Sequence, residues 1–261
     1  MPNDHDAYKP AEIAALIENA GVTKSRLPIG QMLTLAVLAG AFISFGAAAY
    51  LMVMTGADMG FGPQRLLGGV VFSVGLILVI VGGAELFTGN ALMVMAAVDR
   101  KIGLAALFRN WGVVYLGNLI GALGVAVAFG LSGALDGPMG ETAAKVALAK
   151  ASGSVVPWVV KGALCNALVC LAVWLTFSAR DTTGKIMAIL WPISAFVLLG
   201  LEHSVANMFF LPLGVLAGAE VPLGGALGNL FWVTLGNILG GAGGVAMAYR
   251  YAYLGGRGTQ Q

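Results

Sequence analysis

His203 constrains this chain more than any other residue. It lies in Leu201-Glu202-His203-Ser204-Val205-Ala206-Asn207, between the apolar segments Ile186–Leu199 and Met208–Ala219. A bilayer core about 30 Å thick takes about 20 apolar residues in one continuous helix. Each flank is shorter than that, so the stretch reads as one membrane helix broken near its middle, with the imidazole at mid-membrane. Composition fixes the solvent: 59% of residues are hydrophobic and only 10% charged, against about 25% charged in soluble domains. The chain is therefore expected to be an integral membrane protein, all α-helical, and no nucleic acid partner is implied by its net charge of +2.

The crossings follow in order. Residues 1–30 read as an N-terminal tail without the charged-then-apolar order of a leader peptide. Within it, Ile13, Ala14, Leu16 and Ile17 recur at helical spacing opposite Glu12 and Glu18. This predicts a short amphipathic helix from Ala11 to Asn19, ended by Gly21 and lying on the membrane surface. A transmembrane domain then occupies 31–254. Its first span is Gln31–Met54. The second, Leu66–Val98, is too long for one span and is interrupted at Gly82-Gly83-Ala84-Glu85-Leu86-Phe87-Thr88-Gly89-Asn90. The third is Leu107–Leu131, followed by a polar loop, 132–154, carrying Asp136, Glu141, Lys145 and Lys150. The fourth is Val155–Ser178, the fifth is the broken one, and the sixth is Leu227–Tyr253, with a tail at 255–261.

Six crossings put both termini on one side. Placing them inside puts Arg100, Lys101, Arg109, Arg180, Lys185 and Arg250 inside and leaves Arg65, Lys145 and Lys150 outside. The excess of Lys and Arg belongs to the cytoplasm, so both termini are expected there, in a cell inner (plasma) membrane.

An internal echo supports two halves. Leu116-Gly117-Asn118-Leu119-Ile120-Gly121 matches Leu235-Gly236-Asn237-Ile238-Leu239-Gly240. The same offset carries Thr88 onto Asn207, so the two breaks occupy corresponding places. An odd number of spans per repeat inverts one half relative to the other, and broken helices at such an interface are where transporters place substrate.

Irregular backbone at membrane depth survives only where it is buried in protein or lines a cavity. Two such breaks meeting midway offer free N–H groups and helix N-termini, which favour anions. His203 adds a switchable donor and Thr88 a hydroxyl. Together they suit a small anion, or a weak acid that exchanges a proton in passage. An intramembrane histidine could instead only bond its own loop; the cost of placing it there favours a pore role. Glu85 and Glu202 read as loop supports, with proton carriage as the rival. Asn118 and Asn237 read as interhelical ties, and Asn166 and Asn207 as pathway amides. Cys165 and Cys170 lack metal-ligand spacing and read as small core residues. Neither metal nor other cofactor is expected.

The residues now resemble a known family. Gly83-Ala84-Glu85-Leu86-Phe87-Thr88-Gly89-Asn90 and Gly200-Leu201-Glu202-His203-Ser204-Val205-Ala206-Asn207-Met208 resemble the two signature loops of the formate/nitrite transporter family, and Lys161-Gly162-Ala163-Leu164-Cys165-Asn166 matches a third segment. The resemblance spans nearly the whole chain. It implies a homopentamer in membrane lipid, each protomer an aquaporin-like six-helix fold with its own pore for formate, nitrite, hydrosulfide or a similar anion. It implies a central Thr88–His203 pair and an outer constriction of Leu76, Val169 and Phe196, with Phe72 just beyond. Leu86 and Phe87 would form an inner constriction, and Lys150, with Lys145 as rival, the vestibule lysine. Met208-Phe209-Phe210-Leu211-Pro212-Leu213-Gly214 resembles the formate-type branch, whereas Glu85 with Gly89 differs from the Asp and Ser of some formate channels and the Lys161–Asn166 segment resembles the nitrite type. The order of expectation is formate, nitrite, hydrosulfide. A neutral-solute pore of aquaporin type lacks its paired Asn-Pro-Ala signatures here, and a membrane enzyme lacks a nucleophile or ligand set.

Overall fold

The computed structural model describes residues 7–56 and 58–255. The last six residues of the predicted C-terminal tail lie outside the described residues. Among those described there are helices and no strands. The elements are α1 (Pro10–Ser25), α2 (Ile29–Met54), α3 (Phe61–Phe72), α4 (Val74–Gly82), a 3₁₀ turn (Gly89–Met93), α5 (Val94–Val98) and α6 (Leu104–Leu131). They continue with α7 (Pro138–Ala151), α8 (Val155–Ser178), α9 (Thr182–Leu198), α10 (Ser204–Leu216), α11 (Leu223–Ile238), a π-helical stretch (Leu239–Ala246) and α12 (Met247–Leu254).

Among the described residues, five helical stretches are long and apolar enough to cross a membrane: Ile29–Met54, Phe61–Gly82, Leu104–Leu131, Val155–Ser178 and Leu223–Leu254. α9 and α10, of 17 and 13 residues, are each shorter than the roughly 20 residues a spanning helix needs. Both expected interruptions are present. α4 ends at Gly83 with φ 81°, and α9 is followed by Gly200 with φ 66°. Left-handed backbone of this kind closes a helix end, and glycine adopts it without a Cβ penalty.

Two expectations need correction. The loop predicted at 132–154 contains a helix, α7. Met139, Ala143, Ala147 and Ala151 are buried in it at every fourth position, forming one narrow stripe that packs on α10 and α11. Alanine is too weakly apolar for that stripe to stand out among four charges. The N-terminal helix also runs beyond Gly21 to Ser25. Its apolar face does not enter lipid: Ile13, Ala14, Ile17 and Gly21 are buried, against the 3₁₀ turn, α5, α8 and α12. Gly21 is there for proximity, since a Cβ would stand 3.4 Å from Met93 Cα and Ala96 Cβ.

The long helices close on one another through glycine. A Cβ on Gly121 of α6 would overlap the Val37 carbonyl of α2, and a Cβ on Gly240 would overlap the Ala163 carbonyl of α8. Membrane helices lack a hydrophobic drive to associate, so such backbone approach is what van der Waals packing relies on. Gly121→Val and Gly240→Val should each lower stability by about 2 kcal/mol or more, because backbone cannot yield as a side chain can. Thermal unfolding of the detergent-solubilised protein checks this, with Gly124→Val, where a Cβ meets nothing within 4 Å, as the neutral control.

Candidate functional site

Each break is tied down by one asparagine. Asn118 of α6 accepts from Phe87 N–H at 2.9 Å and donates to the Glu85 carbonyl at 2.9 Å and the Ala36 carbonyl at 2.8 Å. Asn237 of α11 accepts from Ser204 N–H at 2.9 Å and donates to the Glu202 carbonyl at 3.0 Å and the Gly162 carbonyl at 2.8 Å. Each amide thus spends three of its hydrogen-bonding sites fixing loop backbone against a neighbouring helix, where no water could substitute.

A second pattern also occurs twice. Asn90 donates to Glu85 at 2.7 Å and to Asn110 at 2.9 Å, while Lys24 of α1 reaches Glu85 at 2.5 Å. Asn207 donates to Glu202 and Asn229, both at 2.7 Å, while Lys150 of α7 reaches Glu202 at 2.9 Å. The glutamates are loop supports in both clusters. Lys150, not Lys145, makes the ion pair. Lys24, Asn110 and Asn229 were not singled out from sequence. Asn110 and Asn229 stand at the same spacing as Asn118 and Asn237, a signal that was there to read; Lys24 had none until α7 was known to be a helix.

These pairings also correct the register. Glu85 corresponds to Glu202 and Asn90 to Asn207, so Thr88 falls on Val205 and His203 on Leu86. The expected match of Thr88 with Asn207 fails because the loops and the flanking helices do not share one offset.

Thr88 and His203 meet at the centre, Oγ1 to Nε2 at 2.9 Å, with 0% and 3% of their surface exposed. His203 is also the N-cap of α10: its Nδ1 accepts from Ala206 N–H at 3.1 Å. A backbone N–H only donates, so this contact assigns the lone pair to Nδ1 and the ring proton to Nε2, facing the Thr88 hydroxyl. The Thr88 carbonyl accepts from Asn166 Nδ2 at 3.2 Å and from the Cys170 thiol at 3.5 Å. Asn166 also donates to the Asn237 carbonyl at 2.7 Å, so it ties the first break to α11, and it lines none of the three cavities described next.

Three cavities run in series. One of about 260 Å³ is lined by Arg65, Phe72, Lys150, Lys161, Phe196, Glu202, His203 and Asn207, among others. A central one of only about 10 Å³ is lined by Ile43, Phe72, Leu76, Leu86, Val169, Ile193, Phe196 and His203. A third, about 420 Å³, is lined by Lys24, Leu35, Leu76, Glu85, Leu86, Asn90 and Lys185, among others. Phe72, Phe196 and His203 border the first and second; Leu76 and Leu86 border the second and third. Phe72 and Phe196 meet edge to face at 5.4 Å between centroids. Phe87 borders none of the three. Its ring packs on Tyr115 and Trp111 at 5.0 and 6.1 Å between centroids, so Leu86 alone of the expected inner pair faces the path.

Comparison with known proteins identifies the family. The family model described as "Formate/nitrite transporter" matches residues 11–251. The chain belongs to the formate/nitrite transporter family. It is a membrane channel or transporter and not an enzyme. It is 45% identical over 94% of its length, and 93% of the relative's, to the "Uncharacterized transporter YrhG" of Bacillus subtilis (strain 168). It is 37% identical over 97% of its length, and 96% of the relative's, to the "Formate channel FocA" of Escherichia coli (strain K12). It is also 36% identical over 86% of its length, and 84% of the relative's, to the "Nitrite transporter NirC" of Salmonella typhimurium. A solved "Pentameric formate channel with formate bound" matches with TM-score 0.80 and 38% identity, over 87% of this chain and 98% of that one.

Replacing Asn237 by Ala should leave the Ser204 N–H and the Glu202 carbonyl unpaired and cost about 1–3 kcal/mol. Chemical denaturation in detergent measures it; a loss below a few tenths of a kcal/mol would remove the amide from its structural role.

Proposed function

We propose that this protein is a channel for the small monovalent anions of weak acids, formate first and nitrite next, with proton co-transfer at the Thr88–His203 centre. One observation carries the reading. A dry collar of Phe72, Leu76, Val169 and Phe196, enclosing about 10 Å³, separates two cation-bearing vestibules beside a buried imidazole donor. A bare anion crosses such a collar only at high cost, and a neutral acid crosses cheaply. The anion would take a proton from vestibule water as it meets the His203 Nε2–H and the Thr88 hydroxyl, leaving hydroxide in that vestibule, and the neutral acid would release the proton to water on the far side.

Formate ranks first because the Met208–Gly214 segment is formate-like and a formate-named relative and structure both match well. The nitrite-named relative supports the second place; hydrosulfide is third. The paired asparagine clusters support two inverted three-span halves and six crossings, with α9 and α10 together forming the fifth. The charge bias supports cytoplasmic termini in an inner membrane, which makes the Lys150 vestibule the outer one. The pentameric neighbour supports five copies, each with its own pore, in lipid.

Flux into proteoliposomes for formate, nitrite, hydrosulfide and glycerol, at two pH values, tests this. Saturable flux of one anion, faster at the lower pH and without glycerol flux, is expected. Glycerol flux without anion flux would overturn the reading in favour of a neutral-solute pore. His203→Ala should flatten the pH dependence or broaden selectivity while the oligomer stays intact by size-exclusion chromatography. An unchanged pH profile and selectivity would reduce the imidazole to the cap of α10.

A further inference from the structure

The Lys150 vestibule carries more positive charge than its ion pair uses. Arg65, Lys150 and Lys161 line it, and Glu202 is the one acid among its lining residues. That carboxylate is already taken by Lys150 at 2.9 Å and by Asn207 at 2.7 Å. The Lys150 ammonium also lies 5.4 Å from the Phe210 ring centroid. Lys150 and Glu202 together present little net field to an arriving anion.

Arg65 and Lys161 are left. Neither has a carboxylate partner among the described residues. Arg65 is nonetheless well placed: its guanidinium carbon stands 4.7 Å from the Phe61 ring centroid and its Nη1 reaches the Leu198 carbonyl at 3.5 Å. It lies so close to the break that a Cβ on Gly200 would stand 2.6 Å from Nη1. Lys161 sits in the second turn of α8, a depth at which a lysine on a membrane helix needs water or a partner. Its carbonyl accepts from Glu202 N–H at 3.4 Å, which puts its backbone beside the break. The corresponding carbonyl in the other half is that of Leu35, which accepts from Glu85 N–H and lines the Lys24 vestibule. A leucine fills on one side the place a lysine fills on the other.

We propose that Arg65 and Lys161 form the anion-capturing subsite of this mouth, with Lys150 serving to hold the Glu202 loop. The subsite takes a small planar oxyanion: the guanidinium offers two parallel N–H donors to a two-oxygen anion, and the ammonium adds an unneutralised charge. This deepens the anion-channel reading and rests on it.

The test uses the full-length protein in proteoliposomes and measures formate influx against concentration. Arg65→Gln with Lys161→Gln should raise the apparent KM about tenfold at low ionic strength with the maximal rate unchanged, and the difference should close at high salt. Lys161→Cys allows the charge to be restored without refolding the protein, because both native cysteines, Cys165 and Cys170, are buried. Modification with 2-aminoethyl methanethiosulfonate should return the KM toward wild type, and the negatively charged sulfonatoethyl reagent should raise it further. An unchanged KM at low salt in all these variants, or a KM insensitive to the sign of the reagent, would overturn the subsite while wild-type formate flux persists. Absence of anion flux in the wild type would instead overturn the channel reading itself.

Discussion

The structure depends on satisfying backbone polar groups where there is no water. A helix interrupted inside a bilayer exposes N–H and C=O groups that cost several kcal/mol each if left unpaired. Asn118 and Asn237 resolve this at the two breaks, each from a continuous helix, each bonding loop backbone on one side and a neighbouring helix on the other. The glycine contacts that bring α6 against α2 and α11 against α8 are what let a side chain as short as asparagine span the gap. Packing of the long helices and geometry of the pore are therefore one problem rather than two.

The scaffold is duplicated but the centre is not. Lys–Glu–Asn–Asn clusters recur almost bond for bond, whereas Thr88 corresponds to Val205 and His203 to Leu86. Support is shared between the two breaks, and the Thr88–His203 contact lies where they differ. The centre consequently holds one hydroxyl facing one imidazole, with apolar side chains at the mirrored positions. Two histidines would instead bring two ionisable groups into the same dry volume.

Much of this was legible in the sequence, for a physical reason. Long apolar runs and their interruptions are strong signals because the bilayer demands about 20 residues per helix. The fourth span was read to the residue, Val155–Ser178. α7 was read as a loop because its buried face is almost entirely alanine, which hydropathy hardly registers. Gly21 looked like a helix stop, whereas its role is close approach to Met93 and Ala96. Phe87 was expected at the inner constriction from the family resemblance, and only three-dimensional packing shows it turned toward Trp111 and Tyr115. The Thr88–His203 contact joins residues far apart in the chain, and their chemistry together with the family resemblance suggested their partnership.

The central cavity has a consequence for energy conservation. A volume of about 10 Å³ is close to the smallest that admits one water molecule, and apart from the His203 imidazole the side chains around it are aliphatic or phenylalanine. A waist of that size is too narrow for a file of hydrogen-bonded waters between the vestibules. On the proposed reading, a pore with this waist would sit in an energised membrane without short-circuiting it, its protons crossing only as part of a cargo molecule.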